Sequence, residues 1–257
     1  MTADGTVCVI CLEGIPEIRS GADLAGLIGD AIERTDDVLP LTDRDVLVVT
    51  QKIVSKAEGA VVDLTTVVPG KRAVDFARRY DRDPRQVQVV LDEAVRVVRM
   101  ANGVLITETA HGFICANGGV DASNVGPDTG SLVTLLPGDP DASATGIRAG
   151  VRARFGADVP VIVSDSFGRP WRWGIVDVAI GVSGLQPLDD LRGRPDADGR
   201  IMRSTVRAVA DELASAAELV FGKTTARPVA IVRGAAFERG EGSIREIVMP
   251  AANDLFR

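Results

Sequence analysis

Histidine is all but missing: His111 is the single one in 257 residues. A zinc centre built on several imidazoles is therefore excluded, and a nucleophile–base–acid triad would have just one base to draw on. Placed between two strand-like segments, His111 itself reads more readily as structural. Cysteine is scarce too, with three in the chain, which leaves no disulfide framework and makes the cytoplasm the default location. Cys8 and Cys11 form a C-x-x-C spacing. On a strand, however, residues three apart point to opposite faces, and no second pair completes a zinc site. They read as two ordinary core cysteines. No apolar run approaches the roughly 18–20 residues of a membrane span. Residues 1–5 lack the basic start and long apolar stretch of a secretory signal. Positive charge is also in deficit: lysine and arginine number 29 against 36 aspartates and glutamates, for a net charge of −7 and a pI of about 4.9. That is the reverse of the basic face on which nucleic-acid binders rely. A nucleotide substrate stays admissible, because a bound divalent ion can supply the positive charge a triphosphate needs.

What is present is ordinary globular material, 46% hydrophobic and 25% charged, long enough to bury a sizeable core as one large domain or two small ones. Residues 7–12 read as a buried strand and Gly14-Ile15-Pro16-Glu17 as a turn. Leu24, Leu27, Ile28, Ala31 and Ile32 recur at helical spacing and predict a helix over about 22–34, with Ser20 as its cap. Strands are predicted at 45–50, 104–107, 112–115, 159–164, 175–182 and 229–232, and a helix at 141–155. Periodicity leaves 86–100 undecided, and 165–174 and 188–200 read as loops. The clearest amphipathic helix is 206–221, where Val206, Val209, Ala210, Leu213, Ala217 and Val220 share a face opposite Asp211, Ser215 and Glu218. Strands and helices do not alternate strictly, so the expected fold class is α+β.

Three carboxylate groups and a lysine stand out. Asp121 lies in Asn117-Gly118-Gly119-Val120-Asp121-Ala122-Ser123-Asn124, where two glycines free the backbone to approach a ligand and Asp121 and Asn124 offer oxygens. A plain Asx turn would look the same. Asp165 ends the apolar run Val161-Ile162-Val163-Ser164 and precedes Ser166, an arrangement suited to magnesium or manganese. The residues after it, Phe167-Gly168-Arg169-Pro170-Trp171-Arg172-Trp173-Gly174, suggest recognition of an anion or a flat ring, or a surface loop with an aromatic anchor. In the pair Asp211-Glu212, Glu212 sits at the rim of the helix and is the better ligand, although a solvated acidic face explains both. Lys56, after the strand at 45–50, could meet a phosphate or be one more surface lysine. Gly222-Lys223-Thr224 is not the tail of a P-loop: Ala217 stands where the first glycine is required, and the tripeptide ends a helix instead of opening one. Gly222 reads as that helix's terminator.

Taken in order, several segments resemble one family. They are Glu13-Gly14-Ile15-Pro16-Glu17, the run from Val49 through Gln51, Lys52 and Lys56 to Gly59, Leu105-Ile106-Thr107-Glu108-Thr109, and the run from His111 through Asp121 and Asn124 to Gly126. Leu135-Leu136-Pro137, Asp139-Pro140-Asp141, Ser164-Asp165-Ser166-Phe167-Gly168-Arg169 and Ala208-Val209-Ala210-Asp211-Glu212-Leu213 follow. Together they resemble the coenzyme F-420:gamma-glutamyl ligases over nearly the whole chain, with the loop around Asp121 carrying most of the specificity.

The resemblance implies an α+β domain with a mixed, largely antiparallel sheet, flanking helices and an intertwined homodimer. It implies transfer of the GTP γ-phosphate to the terminal carboxylate of a deazaflavin's phospholactyl tail, attack on that acyl phosphate by the α-amine of L-glutamate, and further γ-linked additions. By the same resemblance Gly14, Ile15, Pro16, Glu17, Gln51, Lys56 and Asn124 would contact GTP. Asp121, Asp165 and Ser166 would ligate two divalent ions, Mg2+ or Mn2+, with Glu212 a looser fit and K+ a candidate third ion. Asp121, Asp165 and Lys56 would then carry the chemistry. Ser166 stands where many relatives have threonine, which keeps a hydroxyl and a carbonyl. Trp173 and Ile175 replace more polar residues, so the acceptor contacts depart most. In actinobacterial relatives a flavin-binding, nitroreductase-like domain follows, and residues 250–257 resemble the junction before it. Residues 1–257 are therefore expected to be one ligase domain, alone or as the N-terminal half of a longer protein. Two other readings stay open: a ligase of the same build with another acid acceptor, and a non-catalytic GTP- or phosphate-binding protein.

Overall fold

The computed structural model describes residues 5–123, 131–222 and 224–255. In chain order its strands are β1 (Cys8–Cys11), β2 (Asp45–Thr50), β3 (Val61–Asp63), β4 (Arg96–Ala101), β5 (Val104–Glu108) and β6 (Ile114–Ala116). After these come β7 (Leu132–Thr134), β8 (Val161–Arg169), β9 (Arg172–Ser183), β10 (Asp189–Asp190), β11 (Val206–Arg207) and β12 (Val229–Arg233). The helices are α1 (Leu24–Arg34), α2 (Gln51–Glu58), α3 (Lys71–Tyr80), α4 (Pro84–Asp92), α5 (Pro140–Phe155) and α6 (Val209–Phe221).

The continuous apolar runs of β2, β12 and the first half of β8 suit strands covered on both faces, and they form the middle of a five-stranded sheet ordered β1-β12-β2-β8-β9. Only β2 and β8 run parallel; the other pairings are antiparallel. Helix α5, backed by α1, packs on β8 and β9, while α6 packs across β9, β12 and β1. A second, smaller core lies under α3 and α4 and the sheet β4-β5-β6, and gathers Phe76, Val87, Val90, Leu105, Val120 and Val133. The fold is α+β, as expected, with largely antiparallel sheets. No helix of the described residues is long and apolar enough to cross a membrane.

Several expectations are corrected. Helix α1 starts at Leu24 and is capped by Asp23, whose Oδ1 accepts from the Gly26 N–H at 3.0 Å, not by Ser20. Residues 86–100 divide into the end of α4 and most of β4. Cys8 is exposed and Cys11 half-buried, because β1 is an edge strand rather than a core one. The largest correction concerns 165–174, which is a hairpin and not a loop. Strand β8 continues to Arg169, turns through Pro170 and Trp171, and returns as β9 from Arg172. Trp171 takes φ +55°, a conformation turns usually give to glycine.

Helix α6 begins at Val209, since Val206 and Arg207 pair with β10. Its polar face is not solvated. Asp211 Oδ1 accepts from the Ala179 N–H (2.9 Å), Glu218 Oε2 accepts from the Asp177 N–H (2.8 Å), and Ser215 Oγ donates to the Asp177 carbonyl (2.7 Å). Strand β9 is the free edge of the main sheet, and unpaired edge groups need partners. The helix supplies them. Burial accordingly raises the Asp211 carboxyl above the usual carboxylate range, against the lowering effect of that N–H.

Candidate functional site

The site forms where β2 stops. Thr50 is its last residue and pairs with Ser164 of β8; the chain then turns into α2 at Gln51, so Asp165 and Ser166 lose their neighbour on that side. Ser166 faces Asp177 across the hairpin. The N–H and C=O of Asp177 point outward to Glu218 and Ser215, which marks a non-hydrogen-bonded pair. The main-chain groups of Ser166 therefore point the opposite way, into the space beyond β2. The Asp165 carboxylate bends to the same side and accepts from the Ser166 N–H.

Asp121 reaches this space from the smaller core. Its main chain forms a two-way bridge with Thr134, N–H to O at 3.0 Å and O from N–H at 2.8 Å. Gly118 (φ +60°) and Gly119 (φ +72°) bring the loop in, and a Cβ on Gly119 would lie 2.6 Å from Leu136. Lys52, on the first turn of α2, sets its ammonium 2.8 Å from Asp121 Oδ2, 2.6 Å from the Ser123 carbonyl and 2.9 Å from Ser123 Oγ. Gln51 donates to Ser55 Oγ (2.6 Å) and the Leu135 carbonyl (2.7 Å), tying α2 to the strand beside Asp121. One α-helical turn beyond Lys52, Lys56 is buried and pairs with Glu17 at 2.5 Å. That contact lays the Gly14–Glu17 segment against α2.

The two carboxylates titrate in opposite directions. Burial pushes Asp121 up, but the Lys52 ammonium and the Ser123 N–H and hydroxyl outweigh it, so the net shift is downward. Asp165 is pushed up to about 7, first by burial and then by the negative charges of Asp177 and Asp121, against the lowering Ser166 N–H and Lys52. The Cys115 thiol is pushed up to about 12, first by burial and then by the Asp165 charge. The result is an oxygen-lined site with more negative than positive charge. Among the described residues no three His, Cys, Asp or Glu side chains converge on one point.

The sequence model of the F420-0:Gamma-glutamyl ligase family matches residues 14–234. The chain belongs to that family. The coenzyme F420:L-glutamate ligase of Methanocaldococcus jannaschii is 44% identical over 85% of this chain and 86% of its own. The enzyme of that name from Methanothermobacter thermautotrophicus is 42% identical over 98% of this chain and 99% of its own. The one from Methanopyrus kandleri is 42% identical over 98% and 100%.

Of the residues that the resemblance to these ligases singled out, the fold brings together Asp121, Asp165, Ser166 and Gln51. Lys56 and Glu17 lie at the other end of the same helix. Glu212 is not brought in: within one chain it is exposed and pairs with Arg207 at 2.7 Å. Asn124 lies outside the described residues. His111 holds the Pro137 carbonyl through Nε2 at 2.9 Å and stacks on Phe113, a structural role. Two neighbours of these carboxylates were not singled out from the sequence, Lys52 and Asp177. Lys52 shares one face with Lys56 at i, i+4, and Asp177 is a carboxylate inside the otherwise apolar run Ile175–Ile180, a burial anomaly that could have flagged it.

Proposed function

We propose that this chain joins L-glutamate to the glutamate-free precursor of coenzyme F420, with GTP as phosphoryl donor and an acyl phosphate on the acceptor's terminal carboxylate as intermediate. The observation that carries this reading is the pairing of Asp121 and Asp165 across the gap that β2 leaves, in a chain of this family. A half-buried carboxyl raised to about 7 among other carboxylates is short of positive charge. Two carboxylates plus main-chain and phosphate oxygens suit Mg2+ or Mn2+. When bound, two such ions, with or without K+, neutralise the triphosphate charge and align the transferred group. Asp121 and Asp165 would hold them, joined by an oxygen of Ser166.

Around that centre Gln51 and Lys56, with Gly14 to Glu17 and Asn124, would cradle the nucleotide. Lys52 would stand beside Asp121 and steady the anionic oxygens during phosphoryl transfer. Helix α2 opens at Gln51 with no side-chain cap, which leaves its first N–H groups for an anion. The test is mass spectrometry of the deazaflavin after incubation with GTP, Mn2+ and L-glutamate. A product heavier by one or more glutamyl residues supports the reading. Unchanged precursor from folded, GTP-binding protein counts against it.

The working form proposed is a homodimer. Beyond Ser164 the β8–β9 hairpin is a two-stranded ribbon, marginal alone in water, and its tip exposes Trp171 at 82%, Trp173 at 102% and Ile175 at 53%. Such a patch on a ribbon fits a second copy of the chain. Trp173→Ser should shift the mass in multi-angle light scattering from dimer toward monomer while leaving the circular dichroism spectrum unchanged. A dimer of unaltered affinity would remove the ribbon from the interface.

A further inference from the structure

Asp177 has no part in the roles above, yet it is 3% exposed and sits directly behind the Asp165–Ser166 stretch. Its Oδ1 accepts from Ser166 Oγ at 2.6 Å and its Oδ2 from Ser164 Oγ at 3.0 Å. Ser164 and Ser166 are two apart on β8 and so share one face of the strand. One carboxylate thus grips both. Its own main chain is held by Glu218 and Ser215 of α6, at 2.8 and 2.7 Å. The chain of contacts runs from a packed helix, through Asp177, to the residue whose carbonyl borders the site.

We propose that Asp177 is a positioning residue: it accepts the hydrogen bond of the Ser166 hydroxyl and so fixes the orientation in which Ser166 and Asp165 meet a divalent cation. This rests on the metal reading given above. The physical need is local. Up to Ser164, strand β8 is held on both sides by β2 and β9; past it, only β9 remains, and a lone ribbon twists freely. A carboxylate–hydroxyl bond is short and roughly twice as strong as a neutral one, and here it acts at the second residue pair beyond the end of β2. It commits the hydroxyl's proton and so fixes which way the Ser166 oxygen lone pairs face. Groups behind a metal's own ligands typically change its affinity by about 10–100-fold when removed.

The experiment is titration of Mn2+ alone, with free Mn2+ read by electron paramagnetic resonance, into the unaltered chain, Asp177→Asn, Ser166→Ala and the double variant, alongside thermal midpoints. Asp177→Asn and Ser166→Ala should each weaken Mn2+ binding about 10–100-fold, and the double variant should bind no more weakly than the worse single one. Folded variants that bind Mn2+ within about twofold of the unaltered chain overturn the proposal, as do losses in the double variant that multiply. A merely structural Asp177 would lower the midpoint and leave the affinity of the folded protein alone. If Asp177→Asn does not fold, Ser166→Ala decides by itself, because it breaks the 2.6 Å link and keeps the charge. An unaltered chain that takes up no Mn2+ defeats the metal reading first, and this inference with it.

Discussion

Asp121 and Asp165 belong to opposite halves of the molecule and are held by opposite means. Asp121 hangs from the smaller core on a glycine-bent loop, and Lys52 already compensates its charge. Asp165 is set in the main sheet, on a strand whose neighbour has ended, and burial together with two nearby carboxylates works against its ionisation. One side of the site is stabilised as an anion; the other is held back from ionising. The difference teaches how a chain with a single histidine can set two carboxylates of opposite electrostatic character side by side, one on a glycine-bent loop and one on a strand of the main sheet.

The comparison is broken most severely by removing either carboxylate. Asp121→Asn and Asp165→Asn should each lower turnover by about 10³-fold or more, since the proposed phosphoryl transfer would depend on charge neutralisation at this point; near-normal GTP turnover in both would refute the assignment. Next in size is the loop geometry. Gly119→Ala meets both the positive φ and the Leu136 side chain 2.6 Å away, and should cost about 1–3 kcal/mol in denaturant unfolding. Gly138→Ala, where an added Cβ meets nothing within 4 Å, is the matched control with little change.

Smaller effects separate the two carboxylates by pH. A proton on Asp165 competes with a cation, so Mn2+ affinity should fall by up to about tenfold per unit as pH drops below 7, and this slope should vanish in Asp165→Asn. The stability of the metal-free protein runs the other way. A carboxyl with a raised folded pKa binds more protons folded than unfolded between about 4 and 7, so stability declines as pH rises through that window. Asp165→Asn should then raise the metal-free thermal midpoint at pH 8, by roughly 2–4 °C per kcal/mol relieved. Asp121→Asn should lower it slightly, because Lys52 loses its partner. Equal shifts in both would erase the contrast.

Much of this was readable beforehand, for identifiable reasons. Strand β2 was legible to the residue because Asp45 to Thr50 is an apolar, largely β-branched run with polar residues on either side. Helix α5 was nearly so, because Asp139 and Pro140 announce its start and Gly156 its end. The hairpin was hidden by Gly168, Pro170 and Gly174, which read locally as loop punctuation; cross-strand pairing overrode them. Asp211, Ser215 and Glu218 looked solvated because helical periodicity records only polarity, and a bare sheet edge seeks polar partners as water does. Asp121 and Asp165 stood out as a carboxylate on a glycine-bent loop and one at the end of an apolar strand before the family resemblance added roles for them, whereas Lys52 and Asp177 depended on where β2 stops, which only the three-dimensional pairing reveals.

The central claim is tested most directly by GDP release from GTP and Mn2+, measured with and without the glutamate-free deazaflavin and L-glutamate. The account predicts release that requires both, matched mole for mole by glutamylated product. GTP binding with release indifferent to glutamate would contradict it.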